Sequence, residues 1–347
     1  MSTVAHSALA NNPTNFVAQD IVIGGWHLYK ARFLDESGRI VDNVNGDISH
    51  SEGQGYAMLL AVAANDKAGF DKIWRWTQKE LFIRDDHLAA WKWEPNQSPN
   101  VTDTNNATDG DLLIAWALLR ARLIWREDSY IQTARNILKD VREKLIIETD
   151  FGRALLPGEK GFGADDQSDG PLINLSYWVF PAISELGLID PLFPDQELIE
   201  TGLALIQKAS FGPSGLPANW LSLADNSVKL AENFDPFFGY DSVRIPLYLA
   251  WYSNEHPELL NPYANAWVRD GGYSLKVVDL PTGKAVGAMT DAGYRALADI
   301  VVCAKNGVVS DNLLNNFSPS DYYPSTLHIL SLLAISERYP TCLINQF

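Results

Sequence analysis

An all-α fold is the class this sequence predicts: an (α/α)6 barrel of six inner and six outer helices, with small β-hairpins on one rim. Three observations carry it. Long apolar segments alternate along the chain with amphipathic ones, six of each. No residue-level self-similarity at a fixed period accompanies the alternation, which argues against a solenoid and leaves an irregular helical array as the competitor. Each apolar segment is also preceded by a short polar or acidic cluster.

In chain order, DIVIGGWHLYKARFL (20–34) is amphipathic and opens the series, and GYAMLLAVAAN (55–65) is the first apolar segment. The amphipathic stretch 68–82 is followed by apolar DLLIAWALLRARLIW (111–125), and 128–146 by apolar 176–188. Amphipathic 195–210 precedes apolar 243–253, and 256–269 precedes apolar 292–304. A short amphipathic stretch, VSDNLLNNF (309–317), precedes the last apolar helix, 325–339. Most of the apolar segments are too long for strands and rich in Leu and Ala, which favours helix. Pro181 and Pro246 fall in the first turn or two of theirs, where proline is tolerated. Helices apolar nearly all round belong inside, and amphipathic ones at a surface. The β-prone stretches 151–158 and 273–286 are expected as the rim hairpins. No Pro/Gly/Ser-rich linker divides the chain, so residues 1–347 read as one domain, with about 1–14 loosely ordered.

The 347 residues carry 27 Lys+Arg against 43 Asp+Glu, a net charge of −16, and 46% apolar residues. That is ample material for a core and argues against a disordered chain. The charge repels phosphate backbones and anionic lipid surfaces, so nucleic acid is a poor partner and a neutral or cationic ligand a better one. No apolar run reaches the ~18 residues of a spanning helix, so no membrane insertion is expected. The first sixteen residues lack a basic start followed by an apolar stretch, so no signal peptide is read there; the chain is either cytosolic or begins after a removed leader. Cys303 and Cys342 allow one bridge or two buried thiols. No metal-ligand spacing is present, and no metal or other cofactor is expected. The chain lacks a GxSxG elbow, and GEKGFG (158–163) neither follows a clear strand nor opens a helix, so it is not read as a phosphate loop.

The clusters before the apolar segments are HSEGQ (50–54), NNATDG (105–110), PLINLS (171–176), FGYDS (238–242), AMTDA (288–292) and PSDYYPS (319–325). Parallel inner helices would gather all six at one mouth. Helix capping accounts for any one of them. Glu52, Asp109 and Asp241 together are harder to dismiss, being three carboxylates in glycine-containing contexts converging on one mouth. His50 abuts the acidic cluster, and a loop hydrogen bond is its expected role. Cleaving a glycosidic bond needs two carboxyl groups on opposite sides of the sugar, one donating a proton to the leaving oxygen and the other attacking the anomeric carbon or activating water. Aromatic rings in polar contexts, Trp91 and Trp93 in AAWKWEPN, Trp220 in PANWLSL, and Tyr322 and Tyr323 in SPSDYYPS, offer flat faces for pyranose rings.

HSEGQGYAM (50–58), NNATDGDLLIAWAL (105–118), NLSYWV (174–179) and GYDSVRIPLY (239–248) resemble glycoside hydrolase family 8, and within it the bacterial endo-1,4-β-glucanases associated with cellulose synthesis. The resemblance runs in order from about Trp26 to the DYYPSTL segment. It implies the (α/α)6 barrel, endo-acting hydrolysis of β-1,4-glucan (cellulose or cello-oligosaccharides) and inversion at the anomeric carbon. It implies Glu52 as general acid, Asp241 as general base, and Asp109 as the residue that binds and distorts the sugar at the point of cleavage. Tyr177 would orient the catalytic water, with Arg244 beside the base; Trp91, Trp93, Tyr322 and Tyr323 complete the expected substrate contacts. A secreted or periplasmic monomer with a functional link to a cellulose synthase is likewise implied. The alternatives are the same chemistry on xylan or another β-1,4 oligosaccharide, and a catalytically silent glucan-binding barrel. A lyase is disfavoured, because the acidic mouth would repel a uronate.

Overall fold

The computed structural model describes residues 13–270, 272–307 and 317–343. Eleven α-helices lie among them: α1 (Pro13–Phe33), α2 (Ser51–Ala63), α3 (Lys67–Glu80), α4 (Thr108–Trp125), α5 (Asp128–Lys144), α6 (Phe180–Leu186), α7 (Asp195–Lys208), α8 (Ile245–Tyr252), α9 (Asn261–Trp267), α10 (Ala292–Asn306) and α11 (Tyr322–Arg338). The helix expected over 309–317 lies, apart from Phe317, outside the described residues. So does the loose order expected over 1–14, apart from Pro13 and Thr14, which begin α1.

The inner set is α2, α4, α6, α8, α10 and α11; each touches the next in that order, and α11 returns to α2. Outside them, α1 packs on α11 and α2, α3 on α2, α5 on α4, α7 on α6, and α9 on α10. Burial follows the sequence pattern. In α4 every residue from Thr108 to Leu119 is buried. Amphipathic α3 buries one face, including Phe70, Ile73, Trp74 and Thr77. The first two inner helices meet at glycines: a Cβ on Gly55 would come within 2.7 Å of Leu113 Cβ, and one on Gly110 within 2.8 Å of the Glu52 nitrogen. Only a residue without a side chain permits that approach.

Two inner segments are shorter than the sequence suggested. The stretch 176–188 becomes a 3-10 turn, Leu175–Tyr177, followed by α6; 243–253 becomes a 3-10 turn, Ser242–Arg244, followed by α8. Pro181 and Pro246 sit in the first turns of α6 and α8. Proline deeper in a helix would remove a hydrogen-bond donor and strike the preceding turn, so neither helix can extend far back through it. The displaced residues form tight turns, and those turns carry Tyr177 and Arg244.

The small antiparallel sheets serve mainly the starts of the inner helices. Ser49–His50 pairs with Lys92–Trp93 at the start of α2. The expected hairpin at 151–158 supplies Gly152–Leu155, paired with Ile146–Thr149. Beyond that strand, the Pro157 carbonyl accepts the Thr108 N–H at the start of α4. The one expected at 273–286 is the hairpin Leu275–Asp279 with Lys284–Met289, to which Phe237–Phe238 adds a third strand. At the opposite end Arg120 of α4 reaches Glu185 of α6 (2.7 Å) and Glu337 of α11 (2.6 Å), and Trp251 of α8 donates to the same Glu337 (2.7 Å). One guanidinium thus ties three inner helices together, and Glu337 adds the fourth. Of the two arrangements open for the cysteines, the structure has the bridge: Cys303 of α10 is disulfide-bonded to Cys342. None of the helices is long and apolar enough to cross a membrane, among the described residues.

Candidate active site

Glu52 occupies the first turn of α2, where the helix dipole favours a negative charge. His50 caps that helix, its Nδ1 accepting the Gly53 N–H at 3.0 Å. Asp109 occupies the first turn of α4 and accepts the Gly110 N–H at 2.8 Å. Asp241 stands just before the 3-10 turn that leads into α8, and Arg244 closes that turn.

Arg244 is where these groups meet. Its Nη2 donates to Asp109 Oδ2 at 2.7 Å, and its Nη1 lies 3.0 Å from Glu52 Oε1 and 3.9 Å from Asp241 Oδ1. Because one nitrogen lies near both outer carboxylates, those two oxygens are at most about 7 Å apart, close enough to flank a single sugar. The guanidinium also lies over the Tyr177 ring, 5.6 Å from its centroid, and donates to the Tyr323 hydroxyl at 3.4 Å.

One cation faces three carboxyls. Asp109 is 2% exposed, and burial, reinforced by the Glu52 charge, pushes its carboxyl well above the ordinary value. Burial also raises Asp241; Arg244 pulls it back and Glu52 adds to the rise. About 32% of the Asp241 side chain still reaches solvent, so water has access to it. Burial opposes the charge on Arg244, yet its neighbours, Glu52 foremost, hold it fully protonated. Tyr56, one helical turn after Glu52, donates to Glu52 Oε1 at 2.9 Å and pairs with the Tyr248 hydroxyl.

Two adjoining cavities, of about 520 and 220 Å³, share Asp42, Asn45, His50, Glu52, Asp241 and Arg244 as walls. They form one trench with the acids at its waist. The larger is also lined by Asp291, Asp321, Tyr322 and Tyr323, and the smaller by Asp109, Tyr177 and Trp91. Among the described residues, buried side-chain polar atoms without a hydrogen-bond partner include Ser51 Oγ, Asn174 Nδ2, Arg244 Nε and Tyr322 Oη, all on residues lining or adjoining this trench.

Of the residues singled out in the sequence, Glu52, Asp109, Asp241, Tyr177, Arg244, Trp91, Tyr322 and Tyr323 come together here. Trp93 does not. It follows Trp91 by two residues in the strand Lys92–Trp93, but its ring meets Trp76 edge-on at 5.7 Å, carries the Arg39 guanidinium at 4.9 Å and donates to Glu80. Trp220 stacks with Phe162 (5.4 Å) and Phe234 (4.6 Å), and its ring neighbours Tyr177. His50 has the loop hydrogen bond expected of it.

Three residues of the site were not read from the sequence. Tyr56 stands four residues after Glu52, a helical spacing that could have revealed it. Asn174 is 1% exposed; its Oδ1 accepts from Ser176 N (3.0 Å) and Ser176 Oγ (2.6 Å), and its amide group lies beside Asp241. The Asn-x-Ser pattern signals a local cap, and only the fold gives it this neighbour. Asn219 binds the turn that carries Asp241, a contact with no local signature.

Comparison with known proteins gives a consistent picture. The sequence profile described as Glycosyl hydrolases family 8 matches residues 1–337. A probable endoglucanase of Novacetimonas hansenii is 36% identical over 326 residues, covering 92% of this chain and 93% of that one. An endoglucanase of Cellulomonas uda is 40% identical over 245 residues, 70% of this chain and 67% of that one. The solved structure of endo-β-1,4-glucanase CMCax from Acetobacter xylinum superposes with a TM-score of 0.84 at 35% identity, covering 92% of this chain and 99% of that one.

Proposed function

The chain belongs to glycosyl hydrolases family 8, and on that premise we propose that Glu52 and Asp241 divide the proton transfers of glycoside hydrolysis across the trench. The protein is an endo-1,4-β-glucanase, a glycoside hydrolase acting on internal bonds of a β-1,4-glucan chain. Glu52 gives its proton to the glycosidic oxygen as the C–O bond breaks. Asp241 takes a proton from a water molecule whose oxygen attacks the anomeric carbon from the opposite face. Each transfer typically contributes about 10²–10⁴-fold. Asp109 receives hydroxyls of the sugar at the point of cleavage, Arg244 restrains the mutual repulsion of the three acids, and Tyr177 faces the attacking water. A neutral glucan enters this acidic trench without electrostatic penalty, whereas a uronate would be repelled.

The observation that carries this reading is the single guanidinium shared by carboxylates from the starts of three inner helices at the wall of an open trench. The test is incubation with a soluble neutral cellulose derivative, hydroxyethylcellulose. Endo attack lowers viscosity steeply per reducing end released; reducing ends that accumulate without loss of viscosity would refute it. The buried Cys303–Cys342 bridge supports work in an oxidising compartment, secreted or periplasmic.

A further inference from the structure

The Asn174 amide group stands beside Asp241, and the aspartate is also held through its backbone. Its carboxylate makes no capping bond to its own turn, and its cationic neighbour Arg244 stands at 3.9 Å. The turn itself is clamped from outside. Asn219, in the segment before the strand Leu221–Ser222, presents one amide oxygen to three donors: Gly239 N–H (3.0 Å), Ser242 N–H (3.0 Å) and Ser242 Oγ–H (2.8 Å). Two of the three are backbone donors, so the amide can face this turn only with its oxygen. The Asn219 N–H donates in turn to Phe237 O at 2.9 Å. Gly239 leaves the room for it, since a Cβ there would lie 2.9 Å from Asn219 Nδ2. The donors flank Asp241 on both sides, so the amide oxygen sets the tilt of the peptide units that aim its side chain. The next residue, Trp220, neighbours Tyr177 on the water side of the trench (ring centroids 6.4 Å apart).

We propose that Asn219 is a positioning residue for Asp241, acting through the Gly239–Ser242 turn to align the base with the attacking water. This rests on the reading of Asp241 as base. A misplacement of about 1 Å in such a group costs about 10²-fold in turnover. The charged groups facing Asp241 are Arg244, Glu52 and Asp109, with the Tyr177 and Tyr323 hydroxyls beside them.

The experiment compares Asn219→Ala, Asn219→Asp and Asp241→Asn on cellopentaose across pH, with thermal unfolding of each. Asn219→Ala is expected to lose about 10²-fold in kcat with KM changed less than about threefold. Asn219→Asp keeps an acceptor for the turn and should recover to within about tenfold of the parent. Recovery in Asn219→Asp, with the loss in Asn219→Ala confined to kcat, is a pattern that a merely structural role would not give, since that would move stability and KM together. Parental kcat in Asn219→Ala, or a loss of more than about tenfold in Asn219→Asp at the parental Tm, would overturn the proposal; the second test stands even if Asn219→Ala fails to fold. Should Asp241→Asn itself retain turnover, the assignment of the base is at fault. Should it be inactive while both Asn219 variants behave as the parent, the positioning role alone falls.

Discussion

Arg244 Nη2 donates to Asp109 Oδ2 at 2.7 Å, and both side chains are almost completely withdrawn from solvent. A pair of this kind is weak evidence of stability, but breaking it is costly, about 3–5 kcal/mol when one partner is left alone. Here the same cation also restrains Glu52 and Asp241. Arg244→Met should therefore lower kcat by about 10²–10³-fold, as expected for a group aimed at developing charge. It should also move the acid limb of kcat/KM upward, because Arg244 pulls the Asp241 carboxyl down. The pH profile checks both effects.

The sign of the acid limb in the parent enzyme follows from the same environment. In the proposed role of base Asp241 would work only when ionised, and burial raises its carboxyl above the ordinary value of 3.8. As pH falls, activity should fail earlier than for a solvent-exposed aspartate. A kcat/KM profile flat down to pH values well below 3.8 would contradict this.

Glu52→Gln keeps the shape of the side chain and removes the transferable proton. Turnover should fall by about 10²–10⁴-fold. Binding of cello-oligosaccharides, measured by calorimetry, should persist, because hydroxyl contacts along the trench are untouched. Near-parental turnover would show that another group supplies the proton.

Gly110 lies where α2 and α4 come closest, and a Cβ there would meet Ser51 and the Glu52 nitrogen. Gly110→Ala should cost about 1–3 kcal/mol by overpacking. Activity should fall as well, since the helix starts that carry Glu52 and Asp109 would be forced apart. Urea unfolding and kcat on the same preparation separate the two effects.

The architecture was legible because the alternation of apolar and amphipathic segments directly records which helices are surrounded by protein. The acids were legible too: Glu52, Asp109 and Asp241 stand at helix starts, so one inference about parallel inner helices brought them together. The lengths of α6 and α8 were less visible, since apolar composition continues through Tyr177 and Val243 while Pro181 and Pro246 limit the helix. Trp93 shares its context with Trp91, yet two residues along a strand place one ring in the trench and the other against Trp76, a difference that context does not reveal. Asn219 was invisible for a deeper reason: its partners lie about twenty residues away across a loop, and polar pairing at that distance leaves no periodic trace.

The Cys303–Cys342 bridge joins α10 to the chain just after α11, closing a segment with a sequence separation of 39. Reduction, or Cys342→Ser, should lower stability by about 2–4 kcal/mol. Neither cysteine lines the trench, so kcat at temperatures well below unfolding should stay at the parental value. A Tm unaffected by reductant would contradict the expected stabilisation.

Two acids acting from opposite faces of one sugar, with water as the attacking group, leave a signature in the first product molecules. Proton NMR of cellopentaose hydrolysis, recorded before mutarotation, reads it directly. The expected result is a new reducing end that appears first in the α configuration. Prompt appearance of the β anomer would mean that a carboxylate, not water, attacks the sugar, and the roles assigned to Glu52 and Asp241 could not stand.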